Sequence, residues 1–360
     1  MSSQPLQKPG IKQPGVIRRQ SIQVSQEMLV REEYLRPGQT LPLVIRPAIA
    51  GVNLIEWARE RQSYLATQLL KHGGVLFRGF NIQPQRDFQT FVGAVSREML
   101  QYQDRATPRS EVGGGIYTST DYPANQTIEF HNENSYASSW PGRIFFCCVT
   151  AALEGGETPI ADSRNVFARI DPDIRERLIQ KKVMYVRNFG DGLGISWQTA
   201  FQTTDKAILG EYCRKSAIEL EWKDANRLRT RQIRPAAIRH PQTNEWVWFN
   251  QATAFHFSTL DVETQAMLLA ELGQQDLPKN AFYGDGTPID GAVLDAIRDA
   301  YQQETICFPW QKGDILMLDN MLVAHGRAPF VGPRKVVVGM ADLYSWADVQ
   351  QAGPVLSNTR

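Results

Sequence analysis

In the stretch Thr127-Ile128-Glu129-Phe130-His131-Asn132-Glu133-Asn134-Ser135-Tyr136, an imidazole and a carboxylate stand two residues apart. The stretch reads as a strand end running into a loop. Strand side chains alternate faces, so positions i and i+2 point the same way and His131 and Glu133 should converge. A second imidazole, His325, lies far downstream in the run from Asp314 to Arg327. Two imidazoles and one carboxylate on one face would hold a non-haem Fe(II) ion and leave adjacent positions open for oxygen chemistry. The H-x-E spacing alone is weak, since a surface pair in a loop gives the same letters. Its meaning depends on the elements that position it.

A chain of 360 residues can bury a full core, as one large domain or two ordinary ones. Lys plus Arg number 39 against 38 Asp plus Glu, a balance that gives no footing for nucleic acid or an anionic membrane. No apolar run approaches a membrane span, and Met1 to Gln20 lacks the apolar centre of a secretory signal. Cys147, Cys148, Cys213 and Cys307 form no C-x-x-C pair, so reduced thiols in a cytoplasmic protein are expected.

Residues 1–40 read as a polar arm, and 41–350 as a single domain. Apolar spacing predicts a helix from Asn53 to Lys71, capped by Asn53 and closed at His72-Gly73-Gly74, with His72 serving the helix dipole. A buried strand follows at 75–80, then a helix from Pro84 to Met99. The polar run 102–126 reads as a loop into the His131 strand. Ile144–Thr150 is unbroken in hydrophobicity and should be a central strand. Gly155-Gly156 is a turn, 171–182 a capped helix and 183–188 a strand. Segments 195–235 and 258–303 read as helical insertions, with an aromatic strand at 245–251 between them. Strands at 305–308, 314–318 and 334–340 close the chain. Short strands with embedded helices favour an α+β fold, a β-core decorated by helices.

Five blocks stand in order: Gly74–Phe80, His131-Asn132-Glu133, Gly155-Gly156-Glu157-Thr158, Val247–Gln251 and Asp319–Arg327. Over residues 40 to 345 they resemble the taurine dioxygenase-like Fe(II)- and 2-oxoglutarate-dependent oxygenases. The look is that of the amino-acid hydroxylases of nonribosomal peptide pathways, the syringomycin-type proteins. The resemblance implies a double-stranded β-helix, or jelly roll, with helices outside. It implies His131, Glu133 and His325 as iron ligands, with 2-oxoglutarate and O2 as cosubstrates. Thr158 matches a hydroxyl, and Arg334 a guanidinium, that hold the cosubstrate. Glu133 stands where much of the family has Asp, and halogenating relatives lack this carboxylate. The taurine enzyme has a further arginine five residues beyond the position of Arg334, where this chain has Gly339. Arg334 must then anchor alone, or Arg327 or Lys335 assists.

The expected activity is hydroxylation of an unactivated C–H in an amino acid or amino-acid-derived small molecule, free or tethered to a carrier protein. Desaturation or cyclisation, or a catalytically silent ligand-binding relative, are the alternatives. Asn250, Gln251 and His256 are candidates for substrate contact, and Asp314 and Asp319 for orienting a ligand or a turn. His240, before Pro241, is expected to bond backbone.

Overall fold

A computed structural model describes residues 29–100, 111–118, 122–190, 192 and 194–349. At its centre is an eight-stranded sheet. Its order is Val30–Tyr34, Leu43–Pro47, Gly74–Phe77, Ile315–Asp319, Ser139–Thr150, Lys335–Ser345, Ile116–Thr118 and Glu111–Gly113. Ser139–Thr150 is central, as its apolar run requires, because both its faces are covered. Phe145 and Cys147 point to the helices Leu54–Glu60, Gln62–His72 and Pro84–Val95. Ile144, Phe146 and Cys148 point the other way, into a second core.

That second core is closed by a three-stranded sheet, Ile128–His131, Val323–Arg327 and Ile160–Asp162, and by the hairpin Ala237–Arg239/Trp246–Trp248. Two sheets face to face with helices outside make the jelly roll expected. One buried ion pair pins the large sheet: Arg78 donates to both oxygens of Asp314 at 2.6–3.1 Å and to the Pro309 carbonyl at 2.8 Å. Asp314 also accepts from the Gln311 N–H. Asp314 is therefore a scaffold group.

Several expectations are corrected. The end of the supposed arm, Val30–Tyr34, is the edge strand of the large sheet, paired with Leu43–Pro47; residues 1–28 lie outside the described residues. The helix from Asn53 breaks at Arg61, where the backbone leaves helical geometry, although Asn53 caps it as expected. Part of the polar run after Tyr102 forms the paired strands Glu111–Gly113 and Ile116–Thr118, while 101–110 and 119–121 lie outside the described residues. The segment 195–235 is not all helical. After the helices Trp197–Phe201 and Lys206–Lys215, strands Glu219–Trp222 and Leu228–Arg234 join Val183–Phe189 in a four-stranded sheet. The buried face of Leu228–Arg234 carries Thr230, Gln232 and Arg234, so polar letters hid the strand. The 258–303 segment likewise encloses a strand, Lys279–Tyr283, between Val262–Asp276 and Gly291–Gln303. The run at 305–308 gives only a bridge, Ile306 to Ile160. No helix among the described residues is long and apolar enough to cross a membrane.

Removing one partner of a buried pair strands the other charge. Arg78→Met should therefore cost about 3–5 kcal/mol of stability. Arg78→Met/Asp314→Leu should cost less than the single change, measured by urea denaturation.

Candidate metal and cosubstrate site

His131 and His325 are direct cross-strand partners in the antiparallel pair Ile128–His131/Val323–Arg327. Opposed residues share a face, and the two rings lie 4.4 Å apart between centroids. Phe146 packs edge-on against His325 at 5.0 Å. The His131 Nδ1–H donates to the Glu129 carbonyl at 2.8 Å, which leaves the Nε2 lone pair for a metal.

The pairing contains a bulge. From His325 to Arg327 is two residues, but their partners His131 and Ile128 are three apart. Gly326 sits opposite the extra residue. A Cβ there would stand 2.6 Å from the Ile128 carbonyl oxygen, so only glycine lets the bulge close over it.

Glu133 arrives differently from the expectation. The strand ends at His131, and Glu133 lies in the turn beyond it, so simple alternation does not aim the carboxylate. Asn320 does. Its side-chain oxygen accepts from the Glu133 N–H at 2.7 Å, and its amide nitrogen donates to the Glu133 and Pro141 carbonyls, both at 2.9 Å. Asn132 donates to the Asn320 carbonyl at 2.7 Å, and Gln251 donates to the Asn132 carbonyl at 2.8 Å. The Glu133 Oε2 then lies 3.9 Å from each of the His131 and His325 Nε2 atoms. The three donor atoms lie within 4.8 Å of one another, the one such group of His, Cys, Asp or Glu among the described residues. Two imidazoles and a carboxylate, with one imidazole's tautomer already fixed, fit a divalent iron ion.

Beside this group is a small cavity lined by Ile128, Phe146, Thr158, Arg327, Arg334, Val336 and Val338, together with His131, His325 and Gly326. It carries two guanidinium groups and no carboxylate in its own lining, which suits a dianion. Arg334 Nε donates to the Gly156 carbonyl at 2.7 Å. Burial, with Arg327 nearby, lowers the Arg334 guanidinium to about 10. The doubled glycine does more than turn the chain. Gly156 has φ 73°, and a Cβ on it would lie 2.9 Å from Arg334 Cδ. The Thr158 hydroxyl accepts from Trp310 Nε1 at 3.2 Å, so its own proton can go to a ligand.

The missing arginine at Gly339 is explained by parity. Val336 and Val338 face the cavity, whereas a Cβ at Gly339 would meet Val92 and Ile116 on the helix side, at 3.2 and 3.3 Å. No side chain at 339 reaches the cavity from this backbone. Lys335 is exposed and does not line it.

The three candidates for substrate contact are used elsewhere. Asn250 donates to the Ala236 carbonyl and accepts from the Ala252 N–H. Gln251 supports the Asn132 turn as described. His256 Nδ1 accepts from the Ser258 N–H as a helix cap, and burial with Arg298 lowers its pKa to about 4. His240 accepts from the Gln242 and Thr243 N–H groups, as expected, and meets Asp319 at 3.2 Å. Asp319 in turn accepts from Met321 and Leu322, shaping the turn before the His325 strand. His72 bonds the Thr40 carbonyl at 2.8 Å, and burial lowers its pKa, so it is a neutral tie more than a partner of the helix dipole. The sequence reading gives no role to Asn320, Gly326 or Trp310; the first two stand inside the Asp319–Arg327 block, whereas Trp310 lies outside every block and carries no signal.

Comparison with known proteins agrees with this geometry. The family model described as "Taurine catabolism dioxygenase TauD, TfdA family" matches residues 37–340. The chain is 46% identical over 274 residues to the dapdiamide synthesis protein DdaC of Enterobacter agglomerans, covering 76% of this chain and 83% of that protein. It is 30% identical over 314 residues to a clavaminate synthase-like protein of Arabidopsis thaliana, covering 84% and 91%. Among solved structures, PvcB, an Fe, alpha-ketoglutarate dependent oxygenase from an isonitrile synthetic pathway, superposes with TM-score 0.51 at 16% identity, covering 87% and 92%. A taurine dioxygenase from Burkholderia xenovorans gives TM-score 0.51 at 14% identity, covering 91% and 96%. Both share the fold.

Gly326→Ala should push the bulge off His131 and weaken metal binding about ten- to a hundredfold, the range for groups that orient a ligand. A Mn(II) titration followed by electron paramagnetic resonance checks this. His256 gives a pH prediction. Its folded pKa is below the usual 6.5, so its contribution to stability is complete above 6.5 and is lost as pH falls towards 4. His256→Asn keeps a cap acceptor and should flatten that acid limb in urea midpoints taken between pH 7 and 4.

Proposed function

The chain belongs to the TauD/TfdA family and is an Fe(II)- and 2-oxoglutarate-dependent dioxygenase, and from that premise we propose that it hydroxylates an amino acid or amino-acid-derived small molecule in a biosynthetic pathway. His131, Glu133 and His325 are the iron ligands in this reading, and Arg334 with Thr158 holds 2-oxoglutarate. The observation that carries it is the convergence of those three donors beside an apolar-walled cavity bearing two arginines and no acid. Support for a biosynthetic role comes from the likeness to the dapdiamide synthesis protein. The protein works in the cytoplasm on a substrate that is free or carried on a partner protein.

Iron with bound 2-oxoglutarate supplies oxidative decarboxylation of the cosubstrate to succinate, coupled to oxidation of a substrate C–H bond. The chain's own part is orientation and exclusion. The Glu129 carbonyl keeps the proton on His131 Nδ1, so Nε2 stays a donor to metal. The Asn320 amide fixes the turn that presents the Glu133 carboxylate. Arg334 receives the distal carboxylate of 2-oxoglutarate, with the Thr158 hydroxyl proton beside it. Phe146, Val336 and Val338 keep water from that contact, which strengthens a guanidinium–carboxylate pair.

Arg334→Met should raise the Kd for 2-oxoglutarate about a hundredfold or more, on the order of 3 kcal/mol for a buried charge pair that loses a partner. Calorimetry on the Mn(II)-loaded protein measures it. For the substrate, free and carrier-bound amino acids are incubated with Fe(II), 2-oxoglutarate and O2. Hydroxylation adds one oxygen to the product mass, whereas desaturation removes two hydrogens. A panel in which no amino-acid-derived compound is oxidised, despite bound cosubstrate, would overturn the substrate class.

A further inference from the structure

Arg327 lies two residues beyond His325 and lines the same cavity as Arg334. Its side chain is also spent on the chain that enters the His131 strand. Nη1 donates to the Tyr122 carbonyl at 2.9 Å, and Nη2 donates to those of Pro123 and Gln126 at 2.6 and 2.8 Å. The guanidinium stands 5.8 Å from the Tyr122 ring centre and 5.2 Å from that of Phe330. Residues 122–127 have exposed side chains, so they bury little of their own. Beyond Arg327, the Phe330 N–H donates to the Ala124 carbonyl at 2.9 Å. The hold on this segment is therefore mostly hydrogen bonding, and most of that comes from one guanidinium.

Arg327 Nε is buried and has no hydrogen-bond partner. Three of the five guanidinium N–H donors are used on the segment, so two remain to be satisfied on a group that lines a cavity already suited to an anion.

We propose that Arg327 couples the cosubstrate to the segment 122–126: a dicarboxylate in the cavity engages the Arg327 and Arg334 guanidinium pair and thereby tightens the three-carbonyl grip that sets the approach to His131. This rests on the reading that the cavity takes 2-oxoglutarate. With two cations facing one cavity, an anion between them relieves their repulsion and lets Arg327 settle against both partners. Linkage is reciprocal: a cosubstrate that binds the gripped segment better than the loosened one by some factor shifts the segment towards the grip by that same factor. Arg327 touches the cosubstrate in this arrangement, and towards His131 it acts as a positioning residue, through the backbone that leads to it. A lysine at 327 would keep the charge but could not span three carbonyls with a planar fork.

Hydrogen–deuterium exchange on the full-length Mn(II) protein, with and without 2-oxoglutarate, tests this alongside calorimetry of 2-oxoglutarate binding. In the unaltered protein, amides across 122–131 should slow several-fold on adding the cosubstrate. In Arg327→Lys that slowing should vanish, and the cosubstrate should bind more weakly. If 2-oxoglutarate binds but exchange across 122–131 does not change, or if Arg327→Lys slows as the parent does, the coupling is wrong and the functional reading stands. If 2-oxoglutarate does not bind the Mn(II) protein at all, the functional reading falls and the coupling with it.

Discussion

The site depends on the strand Val323–Arg327, which is buried along its length and paired on both edges. It sets His325 opposite His131, places Gly326 under the bulge and turns Arg327 to the cavity, three consecutive residues with three tasks. A strand held on both sides cannot slip by one residue without turning every side chain to the wrong face. The register of this pairing therefore fixes the distance between the two imidazoles. The carboxylate is fixed by other means.

Glu133 stands in a turn, and turns carry no register. The chain compensates with a fully buried amide network in which Asn320 reads both the N–H and the carbonyl of Glu133, Asn132 bonds back to Asn320, and Gln251 supports Asn132. Buried amides are costly when left unpaired. Here each bond ties one part of the site to another: the turn after the first histidine, the turn before the second, and the loop after the aromatic hairpin. Preorganisation of the three donors follows from this network as much as from the β-core.

The convergence of His131, Glu133 and His325, and the fold around them, were legible in the sequence because the letters are strict and occur in a fixed order of blocks. The central strand was legible because both its faces are apolar. The strand Leu228–Arg234 was not, since beside Leu228 its inward positions are Thr230, Gln232 and Arg234, which read as surface. Asn250 and Gln251 looked like substrate contacts for the opposite reason. Polar residues at a strand end suggest a ligand, but both amides are buried and serve backbone groups. At Gly339 the missing arginine is a matter of which face the position takes. Val336 and Val338 alternate with it along the strand and take the cavity face, while Val92 and Ile116 crowd the position of its absent side chain on the other.

The most direct test of the metal and cosubstrate assignment is an anaerobic visible absorption spectrum, taken on adding Fe(II) and then 2-oxoglutarate, with His131→Ala beside it. The account predicts a charge-transfer band that needs both additions and is absent in the variant. Bound iron without a band, or a band that survives the loss of His131, would contradict it.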